Sequence, residues 1–422
     1  MHSIFVQIAA YRDPELVPTV LDLIANAKYP KALHIVIGWQ HAGDEDISKI
    51  KDLPQVKIVE VPHTKTKGAC WIRSKIQQYY DGETYTLQLD SHHRFTKNWD
   101  ETLIEMYKGL KEDGYEKPLL TAYLPSYQPK NDPGDRLQEV WQVNYDRFLP
   151  EGVIFLRPST LREWKTRTKP APSRALSAHF IFTQGRWCNE VPYDPDLYFH
   201  GEEISLAIRS WTRGYDLFCP HKVVIWHQYT REGQKKHWDD HTNWPNLNSL
   251  SYKRVKILLG VDGEDPDQIN FGAYGLGTKR SLHEFELFAG VNFLTRRFHK
   301  HSIDEQVPPV PYKDEEDFNK GLCNWTKYCI DIYKPDLPET DYDFLVCVFK
   351  DDINTDLFRK DLDINEFNNL MNQDKNDKFI HIWREFNTAV RPTKWTIWPH
   401  SKSKGWECRI LENKITYAWK IY

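Results

Sequence analysis

Long apolar runs are missing from this sequence. No stretch approaches the roughly 18 apolar residues that a membrane-crossing helix requires, and no basic segment followed by an apolar one opens the chain. Cysteine is sparse and irregularly spaced. Cys70, Cys188, Cys219, Cys323, Cys329, Cys347 and Cys408 form neither a CxxC pair nor a zinc-finger spacing, which argues for free thiols in a reducing compartment. An excess of charge is missing as well. With 56 Lys+Arg against 60 Asp+Glu the formal net charge is −4, so no overall field draws the chain to nucleic acid or to an anionic membrane. These absences make a cytoplasmic protein the expectation, with partners recognised locally. A strand pattern already begins at residue 4, which also suits a catalytic portion cut from a longer chain. Asn324-Trp325-Thr326 fits a glycosylation sequon, a match expected by chance at this length.

What is present is length and aromatic surface. The 422 residues suffice for two or three domains at roughly 150 residues each. Aromatic residues make up 14% of the chain and include 16 Trp, side chains that often hold flat, polar-rimmed ligands such as nucleotides and sugars.

The N-terminal third alternates strand and helix signals. "SIFVQIAAY", "LHIVIGW", "VKIVEVP" and "TYTLQLD" read as strands, with "DPELVPTVLDLIANA" and "GACWIRSKIQQYY" as helices between them. That alternation predicts a mostly parallel α/β sheet, with ligands outside the carboxyl ends of its strands. Residues 115 to 235 are rich in Pro, Trp and Tyr and suggest ordered loops shaping a cleft. Within them "HFIFTQG" and "HKVVIWH" are strand-like and "GEEISLAIRSWTRG" is helical. "REGQKKHWDDHTNWPNLNS" reads as an exposed loop, followed by a helix near 250 to 259 and the glycine-rich "FGAYGLGTKRS". The proline-rich, then acidic "VPPVPYKDEED" marks a boundary near 305. The division expected is 1–304 for a catalytic domain and 305–422 for a smaller β-rich module.

Chemistry concentrates at "LQLDSHHRF". Side chains alternate along a strand, so the period places Asp90 and His92 on one face and Ser91 opposite. A carboxylate and an imidazole two residues apart can grip one divalent cation and leave positions open for phosphate oxygens, as Mn²⁺ tolerates. Taken alone, the tripeptide reads equally as a turn. His227, ending "VVIWH", is a candidate third ligand, and Glu202 and Glu203 open a helix whose dipole favours acids.

The chain order of these pieces resembles the GT-A nucleotide-sugar glycosyltransferases, in particular the polypeptide N-acetylgalactosaminyltransferases, whose metal motif is likewise Asp-Ser-His at a strand end. "AAYRDPEL", "LQLDSHHRF" and "AYGLGTKRSLHEFELFAGVNF" are more specifically similar to the cytoplasmic polypeptide N-acetylglucosaminyltransferases that act on hydroxyproline, over about residues 1 to 300. The resemblance implies a GT-A-like nucleotide-sugar-binding mixed sheet flanked by helices, UDP-GlcNAc as donor, a divalent metal (Mn²⁺, or Mg²⁺), retention at the anomeric carbon and a protein hydroxyl as acceptor. Under it, Asp90, His92 and His227 hold the metal, Arg73 is a donor-site arginine, and Glu202 contacts the sugar hydroxyls. Ala10, Arg12, Asp13, Trp39 and Gln40 line a uridine pocket, with Gln40 standing where relatives carry an acid. His179 sits near the donor sugar in place of a glycine, Lys279 and Arg280 close over UDP, and His93 is scaffold. Two other readings use the same residues: a metal-dependent phosphoester hydrolase, and a non-catalytic sugar- or peptide-binding protein on the same fold.

Overall fold

The computed structural model describes residues 2–338, 341–373, 377–406, 410–415 and 417–420. They form two compact units, one of residues 1–296 with 301–311 and one of residues 297–300 with 312–422.

The larger unit begins β1 (Ile4–Tyr11), α1 (Leu16–Asn26), β2 (Leu33–His41), α2 (Ser48–Lys51), β3 (Val56–Pro62), α3 (Ala69–Gln77), β4 (Tyr85–Asp90), β5 (His93–Phe95), α4 (Trp99–Glu112) and β6 (Pro118–Thr121). It continues with β7 (Trp141–Phe148), β8 (Ile154–Thr160), β9 (Ala171–Pro172), β10 (Phe180–Gln184), α5 (Trp187–Glu190), α6 (Glu202–Trp211), β11 (Asp216–Cys219) and β12 (Ile225–His227). Helices α7 (His237–Asp240), α8 (Trp244–Leu258) and α9 (Leu282–Ala289) follow.

Eight strands make one mixed sheet in the order β3-β2-β1-β4-β10-β6-β11-β9. The first four are parallel, β10 runs against β4 and β6, and β11 runs with β6. All four N-terminal strands and the helices α1 and α3 lie where the sequence pattern predicts, and the four-residue α2 is an addition to that pattern. Period-two alternation in β1 sends Ile4, Val6, Ile8 and Ala10 to one face, where they join Leu87 and Leu89 of β4, Val20 and Leu23 of α1 and Leu103 of α4 in a single core. The other face carries buried polar groups that hydrogen-bond to one another: Gln7 Nε2 donates to Thr86 Oγ1 at 2.8 Å, and Gln88 Nε2 to Tyr193 Oη at 2.7 Å.

Helix α3 approaches that face closely because residue 38 of β2 is glycine. A Cβ there would lie 2.4 Å from Ile72 Cγ1. At the start of α3, Gly68 takes a φ of 110°, a conformation costly for any residue with a side chain.

Two stretches depart from the sequence expectation. The loops expected between 115 and 235 include an antiparallel hairpin, β7–β8, paired from Trp141↔Thr160 to Phe148↔Ile154. The segment expected as an exposed loop contains α7, and α8 starts at Trp244 rather than near residue 250, with Pro245 in its first turn. Strand β12 pairs with β5 outside the main sheet and sets His227 opposite His93.

The smaller unit is β-rich, as expected. Residues 322–333 pair antiparallel with 379–388, and residues 342–350 with 394–401. Tyr328, Ile330, Ile332, Leu345, Phe349, Ile382 and Trp395 form its core. Six cysteines are buried free thiols, and Cys408 lies outside the described residues. No described helix is long and apolar enough to cross a membrane.

Candidate active site

A cavity of about 870 Å³ opens beyond the carboxyl ends of β1, β2 and β4. Its floor carries Asp90, His92, His227, Arg73 and Glu202, so the structure gathers five residues from four separate segments of the chain.

Asp90 is the last residue of β4, and the chain bends immediately after it. The period-two reading of Ser91 and His92 therefore fails: both turn to the same side and reach one carboxylate, Asp13. Ser91 Oγ donates to Asp13 Oδ2 at 2.6 Å and His92 Nδ1 lies 2.7 Å from the same oxygen. Burial alone would raise the Asp13 carboxyl, but His92, Arg231 and Ser91 hold it down at about 2. Asp13 thus stands behind Ser91 and His92 and does not line the cavity.

With Nδ1 engaged, His92 turns Nε2 toward Asp90 Oδ2, 3.8 Å away, and His227 Nε2 lies 3.5 Å from that oxygen. One ligand atom from each of the three residues falls within 4.8 Å of the others. His227 is buried, its two ring nitrogens have no hydrogen-bond partner among the described residues, and burial pushes it down to about 4. A buried imidazole left without hydrogen bonds, beside a carboxylate and a second imidazole whose far nitrogen is already oriented, fits a divalent cation.

Arg73 is brought in from α3. Its Nη2 lies 2.5 Å from Asp90 Oδ1, while Nη1 lies 3.3 Å from Tyr193 Oη and 3.7 Å from Glu202 Oε1. Burial opposes its charge, yet Tyr193, Asp90 and Glu202 together keep it firmly protonated. Glu202 and Glu203 stand in the first turn of α6, behind Gly201, whose φ is 96°. Burial first, and then their mutual repulsion, raise Glu202. Glu203 Oε1 accepts from the Ala178 N–H at 2.9 Å and Oε2 from Tyr123 Oη at 3.1 Å. Glu203, Tyr123 and the β7–β8 hairpin were not singled out as cavity residues from the sequence, although the Glu-Glu doublet was visible there.

His179 lines the cavity with its ring stacked on His227 (centroids 4.2 Å apart) and on Tyr123 (5.2 Å). Leu124 N–H donates to its Nε2 at 3.3 Å and its Nδ1 lies 3.0 Å from Ser177 Oγ, so the ring is a fixed wall. Burial and the neighbouring His227 push it well below the ordinary range. His93 is fully buried, with Nδ1 3.2 Å from the Asp90 carbonyl. Gln40 borders the cavity. Its Nε2 donates to the Ala10 carbonyl at 3.2 Å, while Oε1 has no partner among the described residues.

Five more expected ligand contacts lie elsewhere. Ala10 shares the core face of β1, so Ala9 and Tyr11 face the cavity instead. Arg12 turns away to Asp240 Oδ2 at 2.9 Å and Asp44 Oδ2 at 3.7 Å. Arg280 lies 2.9 Å from Asp216 Oδ1 with its guanidinium over the Trp211 ring, and the Lys279 N–H donates to the Thr212 carbonyl at 2.8 Å. Asp216 begins β11, which runs in the same sense as β4, so Lys279 and Arg280 stand at the amino edge of the sheet, opposite Asp90. Trp39 points away from the cavity as well, stacking on His41 at 4.2 Å between centroids.

A mixed α/β sheet with helices on both faces, and with a cavity at its carboxyl edge holding a carboxylate-imidazole cluster, is the arrangement expected of a GT-A-like glycosyltransferase. The sequence matches the family "Glycosyltransferase (GlcNAc)" over residues 3–54 and 47–295, and the chain belongs to it. No curated protein sequence matches significantly. Solved structures with a similar course include GalNAc-T7 with UDP, GalNAc and Mn²⁺ (17% identity, TM-score 0.44, covering 67% of this chain and 54% of that one). Another is S. aureus TarS 1-349 in complex with UDP-GlcNAc (12% identity, TM-score 0.40, covering 70% and 72%). A third is S. aureus TarS (10% identity, TM-score 0.38, covering 98% and 77%). The chain thus spans about half the length of GalNAc-T7.

Proposed function

We propose that this glycosyltransferase is a metal-dependent, retaining enzyme that moves N-acetylglucosamine from UDP-GlcNAc to a hydroxyl of a protein acceptor: hydroxyproline, Ser or Thr. The observation that supports it most is the convergence, in one cavity of a chain from this family, of the Asp90–His92–His227 cluster with Arg73, Glu202 and the unpartnered amide oxygen of Gln40.

Asp90, His92 and His227 would hold the cation, Mn²⁺ in preference to Mg²⁺ given two nitrogen ligands. Bound there, the cation supplies positive charge against the diphosphate of the donor. Arg73, buried and permanently charged, adds a fixed cation at the cavity floor that costs no reorganisation during reaction. Gln40 Oε1 accepts from the uracil imide N–H, the contact a carboxylate would make there, without the added strength of a charged acceptor. Glu202 binds sugar hydroxyls, and the His179 ring bounds the sugar on the side where a glycine would leave space. Tyr123, Trp141, Phe155 and Tyr229 give the cavity an aromatic flank suited to the acceptor.

Retention is read as front-face attack. Glu203, the additional carboxylate, already accepts from the Ala178 N–H and from Tyr123, which argues against its serving as a nucleophile. The C1–O bond to the β-phosphate breaks, the acceptor oxygen bonds C1 from the same side, and its proton passes to the departing phosphate oxygen. A cytoplasmic location belongs to the same reading, supported by buried free thiols at Cys70, Cys188 and Cys219.

The test is release of UDP from a panel of UDP-sugars with and without Mn²⁺, followed by mass spectrometry of a lysate treated with labelled donor. UDP-GlcNAc turnover that needs Mn²⁺ and labels protein hydroxyls is expected. Phosphate release from simple esters, or saturable sugar binding without turnover, would replace this reading with a hydrolase or a binding protein.

A further inference from the structure

Asp13 does not border the ligand cavity, yet three parts of the site meet at its carboxylate. Its side chain is wholly buried. Oδ2 accepts from Ser91 Oγ and lies 2.7 Å from His92 Nδ1, and Oδ1 accepts from the Glu15 N–H at 2.9 Å. Arg231, four residues beyond His227, brings Nη2 to 3.3 Å from Oδ2. One buried carboxylate therefore joins the end of β1, the bend after β4 and the segment after β12.

We propose that Asp13 is a positioning residue for the metal ligand His92: it holds the imidazole as the Nδ1–H tautomer, so that the Nε2 lone pair faces Asp90 and His227. The inference rests on the assignment of Asp90, His92 and His227 to a divalent cation. An imidazole free to rotate, or carrying its proton on Nε2, presents no lone pair to that cluster. A carboxylate behind a ligating histidine fixes the ring and makes it a better donor, and loss of such a partner typically weakens metal binding by about 10–100-fold. Ser91 fills a second acceptor direction of the same oxygen, which pins the carboxylate itself. Arg231 balances the buried charge and ties the segment after β12 to the histidine it supports.

The experiment measures Mn²⁺ affinity of the full chain by titration calorimetry, without donor, for the wild type, Asp13→Asn, His92→Ala and Asp90→Asn. The expected result is a Mn²⁺ Kd raised about 10–100-fold in Asp13→Asn, with kcat largely recovered at saturating Mn²⁺. Binding should be lost in His92→Ala and Asp90→Asn. Wild-type affinity in a folded Asp13→Asn, with binding lost in the other two, overturns the role of Asp13 alone. Undiminished binding in His92→Ala and Asp90→Asn overturns the metal site itself. If Asp13→Asn does not fold, nitrogen-15 NMR of histidine-labelled wild type decides: His92 protonated on Nδ1 is expected, and the Nε2–H tautomer overturns the proposal.

Discussion

Arg73 Nη2 lies 2.5 Å from Asp90 Oδ1, while the other oxygen of the same carboxylate lies 3.5 Å from His227 Nε2. One side chain at the end of β4 thus faces a buried guanidinium on one side and the candidate metal cluster on the other. Arg73 is 5% exposed at its side chain and Asp90 is 28% exposed, so the pair is neither a surface ion pair nor an isolated buried one.

Asp90→Asn is expected to abolish metal-dependent turnover and also to destabilise the fold. Considered as an exposed strand-end carboxylate, Asp90 would contribute little to stability; the structure pairs it with Arg73 instead. Tyr193 Oη and Glu202, 3.3 and 3.7 Å from Arg73, remain as its polar neighbours, so the loss should be about 1–3 kcal/mol. Urea unfolding of the metal-free protein checks it, and an unchanged midpoint would contradict the pairing.

Arg280→Ala separates the structure from the sequence expectation. Arg280 pairs with Asp216 and covers Trp211 at the amino edge of the sheet. Its loss should cost about 1 kcal/mol of stability while leaving KM for the donor unchanged. A tenfold rise in KM would return Arg280 to the donor site.

Gly38→Ala acts on the site from the far side of α3. The added methyl meets Ile72 Cγ1 and Ile76 Cδ1, two core side chains of the helix that carries Arg73. Overpacking of this kind costs about 1–3 kcal/mol, and the helix must move to relieve it. A lowered Tm together with lowered kcat is expected; lowered Tm with normal kcat would mean that Arg73 tolerates the shift.

Acid should destabilise the protein before its carboxylates protonate. Burial lowers His221 to about 4 from an ordinary 6.5, and burial together with His241 lowers His237 to about 4. In the unfolded chain these rings bind protons near 6.5, so the unfolded state holds more protons below that pH. The stability from keeping them neutral is complete above about 6.5 and is lost as pH falls toward about 4. His221 Nδ1 has no hydrogen-bond partner among the described residues, so His221→Phe should flatten the fall of Tm with pH over that window. An unchanged slope would assign the acid sensitivity to other groups.

Much of the fold was legible because local pattern and burial agree. Ile4, Val6, Ile8 and Ala10 alternate with Gln7 and Ala9, and the strand they predict is the strand that forms. The hairpin β7–β8 escapes the sequence reading although Trp141, Val143 and Tyr145 alternate with Gln142, Asn144 and Asp146, because the register shifts after Tyr145 and its partner "IFLRPST" carries Pro158, a residue that argues against a strand. Ser91 was assigned to the wrong side because the period-two rule holds only while the strand continues, and it stops at Asp90.

The sequence by itself determined the kinds of group available: a carboxylate and two histidines at the ends of apolar runs, and a glutamate pair opening an amphipathic helix. Those follow from local periodicity and from the chemistry of each side chain. Tertiary structure alone decided which groups meet. It set Arg73 against Asp90, placed Asp13 behind His92, and sent Arg12 and Arg280 to other acids. The physical reason is that such pairings span separations from 17 residues (Arg73 to Asp90) to 228 (Arg12 to Asp240), and they are fixed by sheet order and helix packing, which no local pattern encodes.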